Sequence, residues 1–321
     1  MYFPYLRGKQ FELIAIRDFA EWADNKEIIP IIEPVKASMN TLFTAGDKLT
    51  DQKFKFLIIL NPEYGENKNN HARNIDDIQE KYHSNQFCVY TYILNQETAC
   101  NDLKKFIDLS RGHAISLIYK RKPTEEEATY INSLNNINYS IFDEKALGRH
   151  TCQKLVNIFQ EKSEPIILED NFKKEEKNAD YQSEDVFSDR HILYKTDGYA
   201  GFSDYLIVGD HFSEVGGPAF AVTIHLSYID EKDNSVLKIR HYVSDQTETR
   251  EDTAGKFEEA LQKLIKDIKS DPQNENFNTR ACNTFNELYN AQHFPGLGFV
   301  KKLSMLQHIE ILNKYLKRAV K

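Results

Sequence analysis

FCVYTYIL (87–94), QETACNDLKKFIDLS (96–110) and AISLIY (114–119) decide the fold, because they follow one another as strand, helix and strand. The two short runs are rich in β-branched and aromatic residues, and the segment between them repeats its apolar positions at helical spacing. Parallel strands buried on both faces read as near-continuous apolar runs and need a crossover helix between them. The same unit recurs on either side. Residues 1–6 read as a first strand and 10–24 as its helix, with Phe11, Ile14, Ala15, Phe19 and Trp22 near one face. Further strands are expected over 28–35, 54–60, 139–142 and 165–168, and further helices over 124–134 and 148–160. Pro123-Thr124 followed by three glutamates makes a favourable start for the first of these helices.

Seven such units point to eight, and so to an α/β fold of the (β/α)8-like, TIM-type barrel class. An open doubly wound sheet is the rival reading, but no GxGxxG follows the first strand. The expected organisation is one barrel domain over 1–321. Strand-helix units occupy 1–170, an insertion and the β-rich end of the barrel 171–250, and C-terminal helices 251–321. The insertion is read from the polar stretch 171–189, after strand seven. Of the later β-rich runs, 205–208, 219–228 and 237–243, one is expected to be the eighth strand and the others a hairpin. Helical patterns follow over 254–269, 284–290 and 304–320, and this tail is expected to pack across one end of the barrel.

A net charge of −8 and a pI near 5.7 exclude an extended nucleic-acid surface, which needs clustered Lys and Arg. No stretch approaches the roughly 20 apolar residues of a membrane span, and the start lacks a secretion signal, so the expected compartment is the cytoplasm. Cys88, Cys100, Cys152 and Cys282 form no CxxC pair, which argues against a zinc ribbon or redox dithiol.

Three stretches, YFPYLRGKQFELIAI (2–16), GFSDYLIVGD (201–210) and FPGLGFVKKLSMLQHIEIL (294–312), resemble a bacterial and phage family called beta family proteins. The resemblance implies a barrel-like α/β fold and an antiviral defence setting in phage-related gene neighbourhoods. It supplies no catalytic residues.

In α/β barrels the working residues sit where strands end. The candidate catalytic residues are Glu33, Glu63, Asp143 and Glu169, with His225, inside an apolar run, as a general base. Arg7, Lys9, Tyr119, Lys120 and Asp204 are the candidate substrate-binding residues. Converging carboxylates repel unless they hold a cation, pair with Lys or Arg, or stay protonated. Glu33, Asp143, Glu169 and Asp170 are therefore candidate ligands for Mg²⁺ or Mn²⁺. Each acid could instead be a helix cap or loop residue, and His225 and His241 could be general bases or metal ligands, although a hydrogen-bonded core histidine is more common. Gly216-Gly217-Pro218 lacks a following Lys-Ser or Lys-Thr and reads as a tight turn. Two function classes stay open. One is a metal-dependent phosphoester hydrolase acting on a phosphate-containing or nucleotide-derived small molecule in phage defence. The other is a non-catalytic binding or sensing component that works with a protein partner from the same defence locus.

Overall fold

Eight parallel strands close into a barrel in the computed structural model, which describes residues 1–24, 26–213 and 220–319. In chain order the first seven strand-helix units begin with β1 (Tyr2–Leu6), α1 (Gln10–Trp22), β2 (Ile31–Ile32) and α2 (Asn40–Asp51). They continue through β3 (Phe56–Ile59), α3 (His71–Tyr82), β4 (Cys88–Leu94), α4 (Cys100–Leu109), β5 (Ile115–Tyr119) and α5 (Glu125–Ser133). β6 (Ile137–Asp143), the short α6 (Glu144–Leu147), α7 (Arg149–Phe159) and β7 (Glu164–Glu169) complete them. After these come β8 (Glu184–Ser188), the single turn α8 (Arg190–Leu193) and β9 (Gly201–Asp204). The chain ends with the hairpin β10 (Thr223–Asp230) and β11 (Val236–Val243), then α9 (Thr253–Ser270), α10 (Arg280–Asn290) and α11 (Leu297–Ala319). The barrel order is β1 to β7 and then β9, which closes back on β1.

Period-two alternation sorts the strand side chains into two sets. Phe3, Tyr5, Ile31, Leu57, Ile118, Ile141 and Leu168 fill the interior, while their neighbours in sequence face the helices. Both environments are apolar, which explains why the strands read as continuous runs. The expected start of α5 is a capping box: Thr124 Oγ1 accepts the Glu127 N–H at 3.2 Å, and Glu127 Oε2 accepts the Thr124 N–H at 2.8 Å.

The eighth barrel strand is β9, not one of the three runs expected for it. It ends where the first of those runs begins. Four residues opening on glycine carry a weak strand signal, yet that glycine is what permits closure. A Cβ at Gly201 would lie 2.8 Å from Met1 O and 2.9 Å from both Ile166 Cδ1 and Phe3 Cε2. Gly201→Ala is therefore expected to lower barrel stability by about 1–3 kcal/mol, as overpacking does, and thermal unfolding would measure it.

The buried face of α1 is also turned from its expected position. Leu13, Ala15, Ile16, Phe19 and Ala20 are buried, whereas Phe11, Ile14 and Trp22 are only half-buried. Trp22 sits at the last residue of the helix, with its ring edge-on to Phe19 at 5.1 Å. Phe19→Ala should accordingly cost more than Trp22→Ala in parallel thermal melts, although tryptophan is the larger residue.

The chain divides into two compact units, Met1–Asp170 with Leu193–Tyr205, and Asn171–Ile192 with Leu206–Lys321. The reading of one domain over the whole chain does not contain this division. The first unit is the barrel. The second has its own antiparallel sheet, ordered β10-β11-β8, and its own core of Leu226, Phe257, Leu264, Phe285 and Leu303. The polar stretch 171–189 contributes β8, an edge strand in which only Phe187 is buried, which explains its low hydropathy. The hairpin expectation holds for β10 and β11. Gly216-Gly217-Pro218 and Ala219 lie outside the described residues. All four cysteines are free thiols. Among the described residues no helix is long and apolar enough to cross a membrane.

Candidate functional site at the barrel mouth

Strand ends bring two linked charge clusters together at the carboxyl end of the barrel. The first is built by β1 and β2. After Leu6 the chain turns at Gly8, whose φ of +60° favours glycine and whose missing Cβ would lie 2.7 Å from Glu33 O. Arg7 is thereby set beside the end of β2, and its backbone N–H donates to Glu12 of α1. Arg7 Nε lies 3.4 Å from Glu33 Oε2. The Tyr5 hydroxyl donates to the same oxygen at 3.0 Å, and the Glu63 backbone N–H donates to Oε1 at 2.7 Å. Glu33 is fully buried, and burial raises its pKa against the opposing pull of Arg7 and the Glu63 N–H. The Arg7 guanidinium is flanked by the rings of Tyr64 at 4.4 Å, Tyr205 at 5.4 Å and Tyr5 at 5.6 Å.

The second cluster centres on Lys120, which follows β5. Its ammonium donates to Glu63 Oε2 at 2.6 Å and lies 3.8 Å from Asp143 Oδ2. Glu63 Oε1 accepts from Asn95 Nδ2 at 2.7 Å, so both of its oxygens are engaged. Asp143 also caps α6, with Oδ1 accepting the Ala146 N–H at 3.0 Å. Glu63 joins the two clusters, through its backbone to Glu33 and its carboxylate to Lys120. Arg7, Glu33, Glu63, Lys120 and Asp143 thus form one network.

The other expected site residues have different described contacts. Tyr119 is fully buried on the helix-facing side of β5, with its ring 5.1 Å from Phe142 and 5.4 Å from Phe159. It is a core residue rather than a substrate contact, because Ile118 takes the inward position. Asp204 is buried and accepts the Tyr2 hydroxyl at 2.8 Å, on the outward face that Tyr2 shares with Phe202. Glu169 pairs with Asp204 in register, directly after inward Leu168, so alternation turns it outward as well. Asp170 lies 3.3 Å from Lys145. Lys9 is half-buried at the start of α1 and provides no side-chain cap.

His225 belongs to the second unit. Its Nδ1 lies 2.7 Å from His241 Nδ1, and the rings of Tyr181 and Phe172 pack edge-on at 4.7 and 5.2 Å. Burial pushes the His225 pKa well down, with further lowering from His241 and Lys301, so the imidazole is neutral. His225 is half-buried in β10 and its described hydrogen-bond partner is His241.

No protein-family model matches the chain, and no curated protein does. Solved structures of similar fold include two of different function. One is the protein CutC of Streptococcus agalactiae, at 11% identity and a TM-score of 0.42, covering 65% of this chain and 99% of that one. The other is the enoyl reductase domain of MlnA, from the macrolactin biosynthesis cluster of Bacillus amyloliquefaciens. It has 9% identity and a TM-score of 0.40, and covers 99% of this chain and 81% of that one. Neither likeness bears on ligand or activity.

Tyr5, Tyr64, Asn95 and Tyr205 are members of the site that sequence reasoning missed. Asn95 directly follows β4 and so meets the strand-end rule that marks the other site residues. Among the described residues no group of three or more His, Cys, Asp or Glu side chains is arranged to hold a metal ion. What the mouth offers is fixed hydrogen-bonding geometry with mixed charge: three carboxylates, two cations and an amide.

Proposed function

We propose that the protein is a non-catalytic binding or sensing component whose barrel mouth recognises a small polar molecule. The observation that carries this reading is the position of Lys120, whose ammonium sits between Glu63 and Asp143 at 2.6 and 3.8 Å. Together with Arg7 beside Glu33, it supplies from the chain itself the counter-charge that a divalent cation would otherwise bring. Metal-assisted phosphoester hydrolysis needs carboxylates free to share a cation. Phosphate recognition needs cations that are not already matched, and here three carboxylates face two. A neutral or cationic ligand suits this mouth better than an anion.

The resemblance to beta family proteins supplies the biological setting, a bacterial system for conflict with phage. In that setting the second unit meets a protein partner. The exposed edge strand β8, with Val186 53% exposed, supports this part of the reading.

Thermal unfolding with and without Mg²⁺ or Mn²⁺ tests the proposal. A metal present at about 100 times its Kd would stabilise the fold by about 2.7 kcal/mol, so a real site gives a clear shift. The transition is expected to stay in place. A metal-dependent rise that disappears in Glu33→Gln or Glu63→Gln, or metal-dependent phosphoester hydrolysis lost in the same variants, would overturn the proposal in favour of the hydrolase.

A further inference from the structure

A cavity of about 550 Å³ opens over β4 between α3 and α4, lined by Ile75, Asp76, Tyr92, Asp102, Phe106 and Leu109 among others. It lies on the outer face of β4, opposite Val89 and Ile93, which fill the barrel interior. Its size falls within the range of small-molecule sites, about 300–1,000 Å³. The floor is apolar: Tyr92 stacks on Phe106 with ring centroids 4.8 Å apart, and Leu109 at the edge is 55% exposed.

Two independent features indicate what the cavity takes. The first is Tyr92, which is only 7% exposed, yet its hydroxyl forms no hydrogen bond with any described residue. The residue is buried, but the hydroxyl itself keeps accessible surface in the cavity wall, which makes it a place for a ligand atom. Burial and the nearby Asp102 push its pKa up to about 12, which keeps the hydroxyl protonated and able both to donate and to accept.

The second feature is charge. Four carboxylates, Glu63, Asp76, Glu97 and Asp102, line the cavity against two lysines. Lys68 lies 3.8 Å from Glu97 and Lys105 lies 3.9 Å from Asp102, while Glu63 is held by Lys120. Asp76 has neither an ion pair nor a side-chain hydrogen bond to a described residue. Lined by aromatic rings and an excess of negative charge, the cavity is suited to a cation with an apolar body.

We propose that the α3–α4 cavity binds a small organic cation, a primary amine on an apolar body. The ammonium meets the rim carboxylates, Asp76 first among them, and the body covers Ile75, Phe106 and Leu109. This rests on the reading of the chain as a binding module and names its ligand class. Glu63 and Asn95 belong both to this rim and to the mouth network, so the two recognise parts of one surface.

The test uses 2-phenylethylamine and its anionic counterpart phenylacetate, titrated into the whole chain by calorimetry and followed by ligand-observed NMR. Saturable binding of the amine is expected, and none of the acid. Asp76 is exposed, so Asp76→Lys should leave the fold intact and weaken amine binding by about tenfold, as reversal of one charge contact at a partly exposed site does. Tyr92→Phe provides a second variant that removes only the hydroxyl, and it should also weaken binding. Failure of the wild-type chain to bind the amine, equal binding of the acid, or indifference to both substitutions would overturn the inference. None of these results resembles the metal-dependent stabilisation that would overturn the binding-module reading itself.

Discussion

Replacing Arg7 with methionine should destabilise the barrel by about 3–5 kcal/mol, the usual cost of leaving one member of a buried ion pair without the other. Both partners are almost wholly buried, at 5% and 0% side-chain exposure, so solvent screens the pair little. Glu33 would keep the Tyr5 hydroxyl and the Glu63 N–H but lose its only close counter-charge in the first cluster. Glu33→Gln added to Arg7→Met should recover much of the loss, because a neutral amide needs no counter-ion and its oxygen can still accept a hydrogen bond. Urea unfolding of the wild type and the two variants measures both effects.

The pH dependence has a definite sign. Burial raises the Glu33 pKa in the folded chain, so its carboxyl holds its proton more tightly folded than unfolded. A raised carboxyl favours the folded state at low pH and loses that contribution as pH rises through the folded pKa. Without Arg7 the rise should be larger. The penalty of Arg7→Met should therefore shrink as pH falls and Glu33 is neutralised, while Arg7→Met/Glu33→Gln should show no such trend. A penalty that stays constant with pH would mean that packing of the guanidinium against the three tyrosines dominates.

Tyr119→Ala should also cost about 3–5 kcal/mol, since it empties an aromatic site packed between β6 and α7. Its hydroxyl is buried without a hydrogen-bond partner, so Tyr119→Phe should be neutral or slightly stabilising. Neither variant should alter recognition at the mouth beyond what lost stability explains. A phenylalanine variant that folded normally but lost ligand binding would return Tyr119 to the site.

The two predictions mark a boundary in what could be read from the chain. Arg7, Glu33, Glu63, Lys120 and Asp143 were found because a parallel barrel gathers its strand ends on one face, and strand ends are visible wherever an apolar run stops. Tyr119 and Glu169 also stand at strand ends and met the same rule, yet they face outward. The rule gives height along the barrel. It does not give the side of the strand, because both sides of a parallel barrel strand are apolar and the pattern contains no alternation from which to set the phase.

The sequence by itself determined the class of fold, seven of the eight barrel strands, the helix start at Thr124 and the hairpin at the end of the β-rich region. These rest on local causes: β-branched runs, helical period, a cap and a turn each act within a few residues. Tertiary structure alone decided the eighth strand, where four residues opening on Gly201 are fixed by the narrow gap between β1 and β7 rather than by their own propensity. It alone decided which face of α1 is buried, and the separation of the second unit around its own core. It also decided the chemistry of the mouth. Whether converging carboxylates need a metal depends on where lysine and arginine side chains end, and the Lys120 ammonium reaches Glu63 across 57 positions of sequence that no local pattern connects.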